Sequence, residues 1–417
     1  MTAQDSARFP SLHFNENLLA VLRLALFPIE EETARIPPEV DWAAVFHEAQ
    51  QQTILPLVFE ASLMLPKHLQ PPARIIKAFD ASVIRQVAGN QFLMVAQDKV
   101  LETFAREKIP CVVLKGSSVS VYYPKPELRV LGDIDLLVSK ESLEKAGESL
   151  LGLGYRQIEC AVVYHVAYKG RGGHVELHFE TTYLLDNAAV QTARLLMADA
   201  VSAAFQAAWG RYSFPVLSPE RQAVLLLLHI QQHMKASGIG LRHLCDFIMY
   251  LAGIDSDVWV HRVVPVLIRA GLYRFAQALA KTGVLWLGLP AARVPWCMDV
   301  REDVCRALLM EFLRSGNFGV KDAGHRASAV LSSDKSGQRT SRFLPLTLIR
   351  NINLAARKHY PITRTFPLIL PLFWVYLPMN YLWGEMKKGR KPQIRQTISA
   401  SQERRKLFAS LGIFDGE

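Results

Sequence analysis

The stretch VVLKGSSVSVYYPKPELRVLGDIDLLV, Val112 to Val138, decides how this chain reads. A short apolar run, Cys111 to Leu114, ends in Lys115-Gly116-Ser117. A spacer carrying Arg129 leads into Gly132-Asp133-Ile134-Asp135-Leu136-Leu137-Val138. The apolar flanks predict a buried strand. Side chains alternate along a strand, so Asp133 and Asp135 share one face while Ile134 and Leu136 point to a core. Two neighbouring carboxylates repel, and a cation relieves the repulsion. Mg²⁺ suits such a pair because it takes hard oxygen ligands together with substrate phosphates. Gly116 permits close backbone approach, and a helix beginning at Ser117 would turn free N–H groups toward an anion. The stretch therefore reads as strand, phosphate-binding turn, short helix and metal-binding strand.

Downstream, His174-Val175-Glu176-Leu177-His178-Phe179 again alternates polar and apolar residues, which sets His174, Glu176 and His178 on one strand face. The Gly116-Ser117 turn, the Asp133-Ile134-Asp135 spacing and a later acidic strand together resemble the DNA polymerase β-like nucleotidyltransferase superfamily. The lysine-glycine turn, the tyrosine-proline spacer, the run Arg129 to Val138 and the closing acidic-x-His are similar to one bacterial branch, the uncharacterised nucleotidyltransferase family. The spacer is longer than the generic superfamily signature. The resemblance is specific from Ile109 to Phe179 and looser on both sides. It implies that Glu176 is the third metal ligand beside Asp133 and Asp135, and that these three form the catalytic set. It also implies two Mg²⁺ ions, with Mn²⁺ as a substitute, an NTP substrate and an acceptor of unknown identity.

Around this set, Gly116 and Ser117 are expected to seat phosphates, and Lys115, Arg129 and Arg242 to contact substrate. Each has a plainer reading: a solvated Lys115, an Arg129 paired with Glu127, a Ser117 that only caps a helix, and an Arg242 paired four residues on with Asp246. Two other functions stay open. One is a non-catalytic nucleotide-binding or antitoxin-like protein. The other is a metal-dependent hydrolase built on His174, Glu176 and His178. His229 and His233 sit on an apolar helix, where single histidines are more often structural.

The fold expected is α+β: a small mixed sheet of the polymerase β-like type between helical regions. Residues 1–108 read as helical, with Pro28 closing a first helix, Asp41 capping a second, Pro56 breaking it, and a long helix following Pro71-Pro72. Residues 109–180 form the α/β core, with a hairpin turn at Gly170-Arg171-Gly172-Gly173. Residues 181–320 return to helix, Pro219 standing in a first turn. Residues 321–342 are a polar linker, and 343–417 an apolar and basic tail.

The 417 residues are 50% hydrophobic and 21% charged, which describes a folded chain. A net charge of +10 favours anionic partners without choosing among them. No RNA-recognition motif supports nucleic acid. Five scattered cysteines without a CxxC pair argue against a disulfide framework or zinc ribbon, and a reducing cytoplasm is expected. Phe366 to Trp383 is apolar but interrupted by Pro367, Pro371 and Pro378, and basic residues follow to Lys391. A full membrane span is not expected. The stretch reads either as a buried tail or, through 366–391, as a peripheral contact with the inner membrane face.

Overall fold

The computed structural model describes residues 12–28, 36–159, 164–180, 188–235, 238–316, 349, 352–353, 356–357, 360, 362–387 and 394–413. The expected linker at 321–342 lies outside them. In chain order the longer elements are α1 (Leu12–Leu26), α2 (Trp42–Gln51), α3 (Leu55–Met64), α4 (Ala73–Arg106), β1 (Cys111–Val113), α5 (Ser117–Ser120), β2 (Ile134–Val138), α6 (Leu143–Gly152), β3 (Arg156–Ile158), β4 (His165–Gly170), β5 (Gly173–His178), α7 (Ala188–Met197), β6 (Phe205–Trp209), β7 (Tyr212–Val216), α8 (Pro219–Lys235), α9 (Leu241–Gly253), α10 (Tyr273–Trp286), α11 (Glu302–Ser315), α12 (Leu370–Lys387) and α13 (Ile394–Ser410).

Local chemistry accounts for several boundaries. The Asp41 carboxylate accepts from Ala44 N at 3.0 Å and caps α2. Pro56 falls in the first turn of α3, so the break precedes it, at Thr53 with φ 59°. The β4–β5 hairpin turns at Gly170–Gly173, where Gly173 has φ 98°. A Cβ on Gly170 would stand 2.7 Å from the Tyr155 ring, so this position accepts glycine alone without a shift.

One seven-stranded sheet organises the α/β part, in the order β3-β4-β5-β2-β1-β7-β6. β2 runs parallel to β5 and antiparallel to β1, and β1 is parallel to β7. The sheet is mixed and the architecture is α+β. Residues 205–216 correct the expectation that helix resumes after 180: β6 and β7 form a hairpin that extends the sheet beside β1.

β1 and β2 are buried on both faces, and their alternation splits two cores. Val113, Ile134, Leu136 and Val138 pack with Val175 and Leu177 of β5 and with Met94, Val100 and Phe104 of α4. Val112, Leu114 and Leu137 face the other way, against Leu217 and Leu225 at the start of α8. Each such side chain stabilises by roughly 1.5–3 kcal/mol. α4 joins the first of these to a third core, since its earlier Phe79 and Val83 enter the large helical core shared by α1–α3 and α8–α11. α13 returns to that core through Leu407, Phe408 and Leu411.

The apolar stretch 366–383 is only partly buried among its described residues: Leu370 is covered, but much of the rest is not. Phe366, Leu368, Leu372, Val375 and Met379 are exposed, Leu368 at 95%. Pro378 lies within α12, so it does not interrupt the stretch as the sequence suggested. Among the described residues no helix is long and apolar enough to cross a membrane. The described cysteines, Cys111, Cys245, Cys297 and Cys305, are buried and unbridged.

The loop before β2 is held by one buried side chain of α4. Asn90 donates to the carbonyls of Glu127 (2.6 Å) and Arg129 (3.0 Å) and accepts from Leu131 N at 2.7 Å. Replacing it with an apolar residue of similar size leaves those groups without partners. Asn90→Leu is expected to lower unfolding stability by roughly 2–4 kcal/mol, read by urea denaturation. An unchanged midpoint would contradict this role for Asn90.

Candidate active site

The β1–β2–β5 register builds the site. Asp135 lies directly beside Glu176 on the parallel neighbour β5, and His165 on β4 lies opposite His178. Cross-strand neighbours share a face, so Asp133, Asp135, Glu176, His178 and His165 all project to the side away from Ile134 and Val175. One oxygen from each of Asp133, Asp135 and Glu176 lies within 4.8 Å of the others. They line a cavity of about 260 Å³, closed by α8 and α9. A separate cleft of about 370 Å³, between α4 and α6, contains none of the expected site residues.

The carboxylates differ in environment. Asp135 is 1% exposed, and its Oδ1 meets Lys115 Nζ at 3.0 Å and His178 Nε2 at 2.9 Å. Burial opposes its charge, but Lys115 and His178 outweigh burial and hold its pKa well below the usual carboxylate range. Asp133 has the opposite fate: the charge of Asp135, then burial, raise it to about 6. His178 Nε2 also reaches Glu176 Oε2 at 3.2 Å. Burial alone would lower His178; its hydrogen bonds to Asp135 and Glu176 reverse that and raise it. One Nε2–H shared between two carboxylates fixes both acids relative to each other. A donor set of three carboxylate oxygens, whose mutual repulsion raises the pKa of Asp133, fits a hard divalent cation that would relieve that repulsion.

The other expected residues are placed as follows. Gly116 has φ 70° and precedes α5, as a turn that glycine favours. The Ser117 hydroxyl is buried and donates to Gln97 Oε1 at 2.7 Å, so it is committed to α4. Arg129 is paired, but with Asp246 and not with Glu127. Its Nε and Nη2 donate to the two oxygens of Asp246 at 3.0 and 2.6 Å, and its Nη1 donates to Val130 O at 3.1 Å. Tyr123 donates to the same Asp246 at 2.8 Å. All three guanidinium nitrogens are thus engaged in clamping the β2 lead-in onto α9. Arg242 does not pair with Asp246 as its spacing suggested. It donates to Val130 O at 3.0 Å, lines the cavity, and its Nε is buried without a hydrogen-bond partner. Burial, then the nearby Arg129, lower its pKa to about 10.

His174 corrects the expected histidine set. It is exposed, one residue from the hairpin turn, while Glu176 and His178 lie further along β5. Alternation is right about its face but not about its reach, because residues two apart on a strand are separated by nearly 7 Å. His165 stands there instead, with Nδ1 3.6 Å from Glu176 Oε2. No spacing rule singles out His165; it becomes visible only through the β4–β5 register. Three further histidines, His229, His233 and His243, line the same cavity from α8 and α9.

The model of the uncharacterised nucleotidyltransferase family matches residues 38–288. The chain belongs to that family. No curated protein matches it, and neither does any solved structure. The match runs from before α2 to the end of α10, so the family's region includes α8 and α9 with their cavity-lining side chains. Membership of a nucleotidyltransferase family supports transferase activity, and the acidic group is able to hold a metal ion.

The raised Asp133 makes a signed prediction for metal-free protein. A carboxyl whose folded pKa exceeds the unfolded value adds stability below the unfolded pKa and loses it as pH rises through about 6. Asp133→Asn removes the ionised group. In EDTA the variant is expected to be more stable than the parent at pH 8, by roughly 1–3 kcal/mol, with the gain vanishing toward pH 4. Thermal melts across that range check it. A variant less stable than the parent at pH 8 would contradict the repulsion described.

Proposed function

We propose that this protein transfers a nucleoside monophosphate from an NTP to an acceptor hydroxyl or phosphate and releases pyrophosphate. The observation that carries the reading is the convergence of Asp133, Asp135 and Glu176 oxygens in one cavity, within a chain of a nucleotidyltransferase family. Asp133, Asp135 and Glu176 would hold Mg²⁺, two ions by resemblance, with Mn²⁺ as a substitute. Bound there, the cation supplies charge neutralisation at the phosphates.

This chain's residues then divide the work. The Gly116-Ser117 turn seats phosphates through backbone, since the Ser117 hydroxyl is spent on Gln97. Lys115, already beside Asp135, and Arg242, facing the cavity, neutralise phosphate charge. Arg129 acts through Asp246 as a positioning residue. Glu176 takes the acceptor proton as the acceptor oxygen bonds to the α-phosphorus. The α–β phosphoanhydride bond breaks, and its electron pair leaves with pyrophosphate. The helices α8 and α9 form the wall against which base or acceptor packs.

A second reading, metal-dependent hydrolysis on the histidine strand, is supported by His165, Glu176 and His178, which also bring donor atoms within 4.8 Å. Purified protein incubated with α-labelled ATP, GTP, CTP and UTP, Mg²⁺ and a cell extract as acceptor pool separates the two. Transfer of label to an acceptor is expected. Asp135→Asn is expected to reduce it by at least roughly 10²–10³-fold, the scale of one lost contact to developing charge. Release of free nucleotide without a labelled acceptor would favour hydrolysis, and binding without turnover a non-catalytic role.

We also propose that the exposed apolar side chains of 366–379, with Lys387, Lys388, Arg390 and Lys391 following, contact an anionic bilayer surface. The full chain is expected to co-float with vesicles containing phosphatidylglycerol and not with phosphatidylcholine alone. Replacing Leu368, Leu372 and Val375 by serine should abolish flotation; undiminished flotation would contradict the contact.

A further inference from the structure

Three histidines meet beside the carboxylate site. Leu225, His229 and His233 are spaced four apart on α8, so they form one stripe, which runs from the core under β1 into the cavity. His243 reaches the same point from α9. The ring centroids form a triangle with sides of 4.5 Å (His229–His233), 5.3 Å (His229–His243) and 5.1 Å (His233–His243). One ring nitrogen from each lies within 4.8 Å of the others. A tetrahedral Zn²⁺ site with bonds of about 2.0–2.1 Å needs nitrogens roughly 3.4 Å apart, a small rotation of three rings from this arrangement.

We propose that His229, His233 and His243 form a second metal site, for a borderline divalent cation of the Zn²⁺ type, in the same cavity as the carboxylates. Its donors are three imidazole nitrogens, whereas the Asp133–Asp135–Glu176 set offers oxygen and suits a hard cation. A satisfied structural cluster would pair its ring nitrogens with protein groups. Here His229 Nδ1 is buried with no hydrogen-bond partner. Burial also disfavours the charged imidazolium in all three, which leaves the rings neutral and able to donate a lone pair. The charged groups acting on the three rings are Lys115, Arg242 and Arg129, which also keep the imidazoles neutral, while Asp133 and Glu176 line the same cavity. Three protein ligands leave a fourth position for water or a substrate atom, the pattern of a site that binds an exchangeable ligand and not of a closed structural one. None of these observations depends on nucleotidyl transfer.

The test uses the full chain without a histidine tag, stripped with EDTA. Zn²⁺ is titrated against a chromophoric chelator with excess Mg²⁺ present to occupy the oxygen site, and Co²⁺ is titrated in parallel to read visible absorption. One equivalent of Zn²⁺ is expected, with a tetrahedral Co²⁺ spectrum. His233→Gln and His229→Gln should each weaken Zn²⁺ by more than about 100-fold, beyond the 10–100-fold that loss of an outer partner costs. Asp133→Asn with Asp135→Asn, and His165→Gln, should leave it well short of the roughly 10-fold loss that marks even an outer partner of the metal. Melting in EDTA reports whether each variant folds, and the Zn²⁺-induced rise in Tm should be present in the parent and absent in His233→Gln. Zn²⁺ binding unaffected by the His229 and His233 substitutions, or lost with the aspartates or His165, would overturn the proposal.

Discussion

Asp133 and Asp135 stand two residues apart at the start of a strand buried on both faces, so the fold holds two like charges where water screens them poorly. Much of the surrounding structure answers that constraint. Lys115, at the end of β1, meets Asp135 from the neighbouring strand. His178 bridges Asp135 to Glu176 through one ring nitrogen. With those contacts made, the unrelieved part of the repulsion falls on Asp133, whose pKa rises to about 6. The site is a set of oxygens whose mutual repulsion a divalent cation would remove.

Rigidity comes from behind the carboxylates. Asn90 and Gln97 of α4 hold the β2 lead-in and the Ser117 turn, while Asp246 of α9 takes Arg129 and Tyr123. Arg129 and Asp246 are 5% and 3% exposed, so breaking this pair would leave a buried charge, a change that costs about 3–5 kcal/mol. The same clamp brings α9 against the sheet and Arg242 and His243 to the cavity. Position of β2 and composition of the opposite wall are therefore linked through one ion pair.

The sequence carried the local half of this in legible form. The Gly116 turn, the Asp133–Asp135 alternation, the Asp41 cap and the Gly170–Gly173 hairpin each depend on residues within a few positions. What it concealed depends on register or on distant contacts. Arg129 looked like a partner for Glu127 because nothing local announces Asp246, which lies 117 residues on. His174 looked like a ligand because alternation gives a side-chain face but not which cross-strand neighbour stands opposite. The β6–β7 hairpin has one local signal, Gly210 with φ 57° between two short strands, and the helical pattern on both sides hides it. His229 and His233 are readable as an i, i+4 pair, but their convergence with His243 requires the packing of α8 on α9.

The most direct measurement is anomalous scattering from crystals grown with Mn²⁺ and a nucleoside triphosphate whose α–β bridge is methylene. A Mn²⁺ peak bonded to Asp133 and Asp135, with the triphosphate against the Gly116 turn, is the expected result. Triphosphate bound elsewhere, with no metal at the two aspartates, would contradict nucleotidyl transfer at this site.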